Sequence, residues 1–563
     1  MLLKNSLFLL TFSLTFLCSY SQPAVTQHKK IVCSKAAVVS ANPLASEVGM
    51  QILKKGGNAF DAAIATQLAL AVVYPGAGNI GGGGFMIGHT KNGKNITLDF
   101  REKAPAKAGR DMYLDANGNP IAQLSQDGHL AAGVPGTVAG LFAALKYAKL
   151  PFSKLVQPAI DLAENGFSIT RSQAKELNNN RAAFTRLNTS VPAFVKDSAW
   201  KEGDLLIQKD LAKTLKRISQ YGKKGFYEGE TARLIVEEMQ KGNGIISYQD
   251  LQSYKAVERT TLEFNYKDAH IITVPLPASG GIILQQMMKM IEQRNIATMG
   301  FLSPQAVQLM IEVERRAFAD RAAFLGDPDF IKVPVKKLIS RVYLTDRMKD
   351  YDTAKAGNSR TTKAGIIPES EETTHISIID DEGNAVSVTT TLNGSYGSKT
   401  VVSGAGFLLN NEMDDFSIKP GVPNMYGAVG NEKNAIAAGK RMLSSMTPTI
   451  VLKNNKPFLV VGSPGGTTIP TSVFQSLVDI LEFNVSPEDA VNIPKFHHQW
   501  LPDSVFVERS FPESTLRSLE FMGYQIKKRE SIGRTELIMI GYKPKRQITA
   551  IADSRGDDSA AGY

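Results

Sequence analysis

Thr373-Thr374-His375-Ile376-Ser377-Ile378-Ile379-Asp380, then Asp381-Glu382-Gly383, then Asn384-Ala385-Val386-Ser387-Val388-Thr389-Thr390-Thr391, reads as two strands around a turn. Both runs alternate with a period of two, the pattern of a strand with two different faces. A three-residue hairpin loop favours glycine last, in the left-handed conformation, and Gly383 meets that need. This fixes the register: Asp380 faces Asn384, Ile376 faces Val388 and Thr373 faces Thr391. Ile376, Ile378, Val386 and Val388 then form an apolar packing face. Thr373, His375, Ser377, Ser387, Thr389 and Thr391 form a small polar one. Opposed β-carbons stand roughly 5 Å apart, close enough for two threonine hydroxyls to interact.

By itself a threonine pair is ordinary sheet surface. The position of Thr373, first in its strand and directly after a polar stretch, adds a chemical possibility. If the chain were cut before Thr373, the new α-amine would lie beside its own hydroxyl. An α-amine with a pKa near 8 can act as a general base at neutral pH, which threonine needs to become a nucleophile.

Upstream, Asn42-Pro43 caps a helix that Gly56-Gly57 ends, and a very apolar second helix follows Asn58. Residues 36–165 read as helix-rich. Gly81-Gly82-Gly83-Gly84 calls for backbone freedom or close approach, and it is not a phosphate loop, because no Lys-Ser/Thr follows it and no strand clearly precedes it. Further helices read at about 136–149, 153–165, 229–241, 280–293, 303–325, 469–483 and 512–522. Asp352–Glu372 is polar and aperiodic, an exposed loop or linker. Beyond it the pattern becomes strand-rich. The two segments are therefore two domains or two halves of one sheet core.

The 563 residues are 43% hydrophobic and 21% charged, which excludes disordered, collagen-like and coiled-coil classes. No apolar run approaches the roughly 20 residues of a membrane span. The formal charge of +10 is scattered, so nucleic-acid binding has no support. Lys4, the apolar stretch Leu7 to Leu17 and Ser19-Tyr20-Ser21 form an export signal, residues 1–21, with Gln22 as the new N-terminus. A lipoprotein signal at Cys18 is disfavoured by bulky Phe16 and Leu17. Of the two cysteines only Cys33 remains after such cleavage, so no internal disulfide forms. His497 and His498 are adjacent strand residues pointing to opposite faces, and read as structural rather than metal ligands.

Glu372-Thr373-Thr374-His375-Ile376-Ser377 resembles the self-cleavage site of the γ-glutamyltranspeptidases, members of the N-terminal-nucleophile hydrolases. Asp99-Phe100-Arg101-Glu102-Lys103-Ala104-Pro105 resembles the family's first substrate-binding motif. Phe318-Ala319-Asp320-Arg321 and Leu325-Gly326-Asp327-Pro328 resemble its helix-and-turn signature. Asn410–Phe416, Leu443–Thr449, Gly462–Gly466 and Ala561-Gly562-Tyr563 match in family order. Asp553-Ser554-Arg555 departs from the pattern, with serine in place of proline.

The resemblance implies a role for each motif. Thr373 is the nucleophile for autocleavage at Glu372-Thr373 and for catalysis, with Thr391 polarising it. Arg101, Ser444 and Ser445 hold the substrate's α-carboxylate. Asn393, Glu412 and Asp415 hold its α-ammonium; some members carry Gln where Glu412 stands, so this chain has one more negative charge there. Gly465 and Gly466 form the oxyanion hole. Asp415 to Gly427 is a lid loop in which Tyr426 walls the pocket, and a lid of this length favours γ-glutamyl over glutaryl-cephalosporin substrates.

The expected fold is an α/β four-layer αββα sandwich built jointly from a large fragment, 22–372, and a small one, 373–563, associated as a heterodimer. The expected reaction is ping-pong transfer of the γ-glutamyl group of glutathione and related amides to water, amino acids or peptides. No metal or organic cofactor and no membrane anchor is implied, and the protein is periplasmic or secreted. Two alternatives remain: a glutaryl-type acylase of the same superfamily, and an exported binding protein that is never cut.

Overall fold

The alternating stretch forms the hairpin its pattern requires. The computed structural model describes residues 26–361, 373–425, 427 and 430–563. Strands Thr374–Ile379 and Ala385–Thr391 pair antiparallel, with Ile376 opposite Val388 and Thr374 opposite Thr390. One further rung along this register sets Thr373 against Thr391. Gly383 closes the loop at φ 94°, the left-handed conformation a side chain would resist.

Around the hairpin lies an antiparallel sheet of seven strands. Its order is Ser559–Gly562, Ala37–Ser40, Thr374–Ile379, Ala385–Thr391, Gly83–His89, Asn95–Asp99 and Val257–Arg259. A second antiparallel sheet of seven runs Lys30–Cys33, Gln547–Ile551, Glu536–Gly541, Lys456–Gly462, Thr449–Lys453, Ala269–Thr273 and Leu262–Tyr266. Each sheet takes strands from both sides of residue 372. The two sequence segments are thus halves of one core, not two domains.

Three apolar clusters give the layer order. Ile376, Ile378, Val386 and Val388 pack with the Ala59–Val73 helix, which is buried on every side. Val39, Ile87, Ile379, Ile450, Val460 and Ile538 fill the space between the sheets. Val451, Leu459 and Val461, on the far face of the second sheet, pack with helices Gly280–Glu292, Pro304–Phe324 and Thr468–Phe483. The result is helix, sheet, sheet, helix, the expected αββα sandwich.

The polar face of the hairpin is turned into this sandwich rather than toward water. Ser377 Oγ donates to the Glu536 carbonyl at 3.0 Å, and Ser387 Oγ donates to the Val461 carbonyl at 3.2 Å. These hydroxyls tie the two sheets together through backbone carbonyls of the second sheet. His375 lies among them, 2.9 Å from Thr389 Oγ1. Burial drives its pKa down to about 3, so the ring is neutral.

The glycine run 81–84 serves close approach. None of the four has positive φ. A Cβ on Gly81 would stand 2.1 Å from the Leu408 carbonyl oxygen, and one on Gly82 would stand 2.0 Å from that of Thr391. The run also opens strand Gly83–His89, so the helix-rich reading of 36–165 needs correction: three strands interrupt it. Helix Arg171–Leu187 carries Asn178-Asn179-Asn180 at its middle, poor helix formers that hide it from pattern reading. A Thr170/Gln173 capping box and four buried residues hold it.

Candidate active site

Thr373, 5% exposed, sits directly before strand Thr374–Ile379. It borders a cavity lined also by Arg101, Thr391, Asn393, Glu412, Asp415, Ser444, Ser445 and Gly466. These residues come from five separate stretches of sequence. Gly465 borders a second cleft that also reaches Thr373. Tyr426, Glu372 and the leader 1–21 lie outside the described residues.

Each group is held by its own backbone context. Arg101 follows strand Asn95–Asp99, where its N–H donates to Asp99 Oδ1 at 2.9 Å and its carbonyl accepts from Tyr254 at 2.6 Å. Asn393 adopts φ 77°, a left-handed conformation that asparagine tolerates. That bend lets its N–H donate to Thr391 Oγ1 at 2.8 Å and its amide donate to the Asn411 carbonyl at 3.0 Å. Glu412–Asp415 is a 3₁₀ turn with Glu412 and Asp414 buried, not a solvated one. Gly465 and Gly466 have φ of 131° and 53° just before helix Thr468–Phe483. Their N–H groups have no acceptor among the described residues, while the Gly465 carbonyl accepts from Thr468 N at 2.9 Å.

Arg101 is fully buried and bonds Glu412 through one terminal nitrogen and Asp415 through the other. Its remaining contacts are the carbonyls of Met442 at 3.3 Å and Leu443 at 3.5 Å, and Glu102 Oε2 at 3.6 Å. It shares the cavity with Ser444 and Ser445 but is bonded to the carboxylates expected to hold an ammonium. Burial works against the Arg101 charge, yet Glu412 and Asp415 hold it firmly protonated. Burial also raises the pKa of Glu102, Glu412 and Asp415, with Arg101 opposing the rise in each. Mutual repulsion among carboxyls crowded on one guanidinium adds to it.

Asp414, beside this cluster, accepts from Ser125 Oγ at 2.6 Å and from the Met425 N–H at 2.7 Å. Asp415 Oδ1 accepts from Asn424 at 2.9 Å. The stretch after Asp415 is thereby pinned against the cavity, where Met425 Sδ lies 3.7 Å from the Asn393 amide.

A model of the family described as Gamma-glutamyltranspeptidase matches residues 45–563. The chain belongs to the γ-glutamyltranspeptidase family. It is 46% identical over 532 residues to the glutathione hydrolase proenzyme of Escherichia coli, covering 93% of this chain and 91% of that protein. A Helicobacter pylori γ-glutamyltranspeptidase chain superposes with a TM-score of 0.57 at 46% identity, over 58% of this chain and 94% of that one. The cephalosporin acylase of Bacillus halodurans superposes with a TM-score of 0.83 at 25% identity, over 98% of this chain and 99% of that one.

Among the γ-glutamyltranspeptidase motifs, Phe318–Arg321 drew no site assignment from sequence, yet Arg321 lines the cavity together with Asn424, Met446, Thr467 and Ile469. The available signal was the arginine that closes this motif on helix Pro304–Phe324. His497 and His498 are both buried, with His497 Nδ1 2.9 Å from Thr471 Oγ1 and the His498 N–H donating to Glu314 at 2.8 Å. They are framework groups.

Proposed function

We propose that this chain is a γ-glutamyltranspeptidase with glutathione hydrolase activity, made as an exported precursor. It matures by cutting itself between Glu372 and Thr373 into fragments 22–372 and 373–563. The observation that carries this reading is one cavity lined both by Thr373 and by the cationic Arg101 and Arg321 and the anionic Glu412 and Asp415. That arrangement suits a substrate whose reacting carbonyl lies a short chain away from a zwitterionic amino-acid head.

In maturation the Thr373 hydroxyl attacks the Glu372 carbonyl, the acyl group moves from nitrogen to oxygen, and water hydrolyses the ester. The free α-amine of Thr373 then takes the proton from its own hydroxyl as the oxygen attacks the substrate's γ-carbonyl. Thr391 supports that hydroxyl. The N–H groups of Gly465 and Gly466 face the developing oxyanion; one such donor is typically worth about 3–4 kcal/mol. The amine leaving group, cysteinylglycine in the case of glutathione, departs with a proton. Water, or an amino acid or peptide amine, then attacks the γ-glutamyl ester and regenerates Thr373.

Two carboxylates at the head of the cavity favour a γ-glutamyl donor over a glutaryl one, because a glutaryl group brings no ammonium to pair with them. The deciding experiment joins N-terminal sequencing of the smaller fragment with assays on γ-glutamyl-p-nitroanilide and a glutaryl amide. A fragment beginning Thr-Thr-His-Ile and preference for the γ-glutamyl substrate are expected. Preference for the glutaryl amide supports the acylase, and an uncut active chain refutes the mechanism. No described helix is long and apolar enough to cross a membrane. Export is tested by finding mature chain beginning near Gln22 outside the cytoplasm.

A further inference from the structure

The side chain of Lys29 ends inside a loop that begins 524 residues further along the chain. Its Nζ donates to the carbonyls of Asp553 at 2.7 Å, Gly556 at 2.6 Å and Asp558 at 2.8 Å. A protonated amine has three N–H donors, one for each of these carbonyls, whereas a neutral amine would leave one carbonyl facing a lone pair. The bonds therefore require the charged form. Burial lowers the pKa of Lys29, and the negative charges of Asp558, Asp553 and Asp557 oppose that effect.

The loop calls for a cation at this point. It carries the chain from strand Gln547–Ile551 of the second sheet to strand Ser559–Gly562 of the first. Three of its carbonyl oxygens converge, and converging carbonyl dipoles repel unless a positive charge lies between them. Asp558 is fully buried beside them, with Arg534 Nε 3.8 Å from its Oδ1. Backbone bonds hold Lys29 at the crossing. The Ala552 N–H donates to the Lys29 carbonyl at 2.9 Å, and the Ala560 N–H donates to the His28 carbonyl at 2.7 Å.

The same loop walls the second cleft that reaches the nucleophile. Arg555, Gly556 and Asp557 line that cleft with Arg534, Gly465 and Thr373. A Cβ on Gly556 would stand 2.6 Å from Arg534 Nη1, so the loop and this guanidinium are in direct contact. The Arg534 N–H in turn donates to Ser463 Oγ at 3.0 Å, in the turn that leads to Gly465.

We propose that the Lys29 ammonium is a built-in monovalent cation that sets the 553–558 loop against the Thr373 cleft, which makes Lys29 a positioning residue for chain scission. This rests on the reading of Thr373 as the nucleophile. The loop is accordingly a carbonyl cage for a primary ammonium, filled by a side chain of the same protein.

The test is chemical rescue. Lys29→Ala removes the ammonium with the methylenes that carry it and leaves room for propylammonium, whereas Lys29→Met fills that room with an uncharged stem. Both variants are expected to split about tenfold more slowly than wild type, as for loss of a hydrogen-bonded charge. Propylammonium chloride is expected to recover most of that loss in Lys29→Ala, relative to the same concentration of sodium chloride, and to give no gain in Lys29→Met or wild type. Denaturing electrophoresis of the splitting chain is the readout, because propylamine could itself accept a γ-glutamyl group and distort turnover. Scission of Lys29→Ala at the wild-type rate, slowed scission that propylammonium does not restore beyond sodium chloride, or equal restoration of Lys29→Met overturns the proposal. If Lys29→Ala does not fold, the comparison is made during refolding: folding and scission recovered with propylammonium but not with sodium chloride support the proposal, and equal recovery or none overturns it. A wild-type chain that stays whole refutes the reading of Thr373 instead.

Discussion

The imidazole of His375 lies over the backbone of Gly462, so near that a Cβ on residue 462 would stand 2.1 Å from the ring. His375 is two residues from the proposed nucleophile, and Gly462 ends the strand leading to Gly465-Gly466. The contact therefore sets the spacing between the attacking group and the donors meant to receive the oxyanion. Gly462→Ala is expected to destabilise the fold by about 1–3 kcal/mol or more through overpacking, and to slow chain scission. Thermal unfolding and denaturing electrophoresis of the same preparation check both effects.

Thr373→Ala is expected to leave a single chain without activity, because the variant lacks the hydroxyl needed for both steps. Thr373→Ser keeps a hydroxyl and should still split, more slowly. Electrophoresis over a time course reads this directly; scission in the alanine variant would refute the assignment.

Glu412 and Asp415 are unequal targets. Glu412→Gln keeps a hydrogen-bond acceptor for Arg101, and kcat/KM is expected to fall less than about tenfold, within the worth of one hydrogen bond to a charged group. Asp415→Ala removes a carboxylate from buried Arg101 and from the ammonium it is proposed to bind. A loss on the order of 3 kcal/mol in kcat/KM, more than a hundredfold, is expected. Steady-state kinetics on γ-glutamyl-p-nitroanilide separates the two.

Asp414 supplies a pH signature. Burial raises its pKa from 3.8 to about 6, against the hydrogen bonds from Ser125 and Met425. The folded chain then holds a proton that the unfolded chain has released, so this group's contribution to stability is present below about pH 4 and is lost as pH rises through 6. Two pKa units correspond to at most about 3 kcal/mol. Asp414→Asn should flatten the wild-type stability profile between pH 4 and 6. Denaturant unfolding across that range checks it; an unchanged slope would show that Asp414 does not titrate there.

The hairpin and its register were legible because both depend on nearest neighbours: a period-two pattern and one glycine able to take a left-handed turn. The capped helices after Asn42 and Asn58 were legible for the same reason. Helix Arg171–Leu187 was not, since tertiary burial and a capping box outweigh its three central asparagines. The strands inside 36–165 were hidden because a strand buried on both faces loses its alternation.

What the sequence determined by itself was the chemistry available: a threonine placed to become a chain end, glycines at the turn before a helix, and a set of charged motifs in family order. What only the tertiary structure decided was who meets whom. It joined strands from both sides of residue 372 into common sheets, gave Arg101 to Glu412 and Asp415, and left Arg321 facing the serines without a carboxylate partner among the described residues. Spacing along a chain fixes local backbone geometry, whereas ion-pair partners hundreds of residues apart are chosen by the packing of sheets and helices and by the cost of burying an unmatched charge.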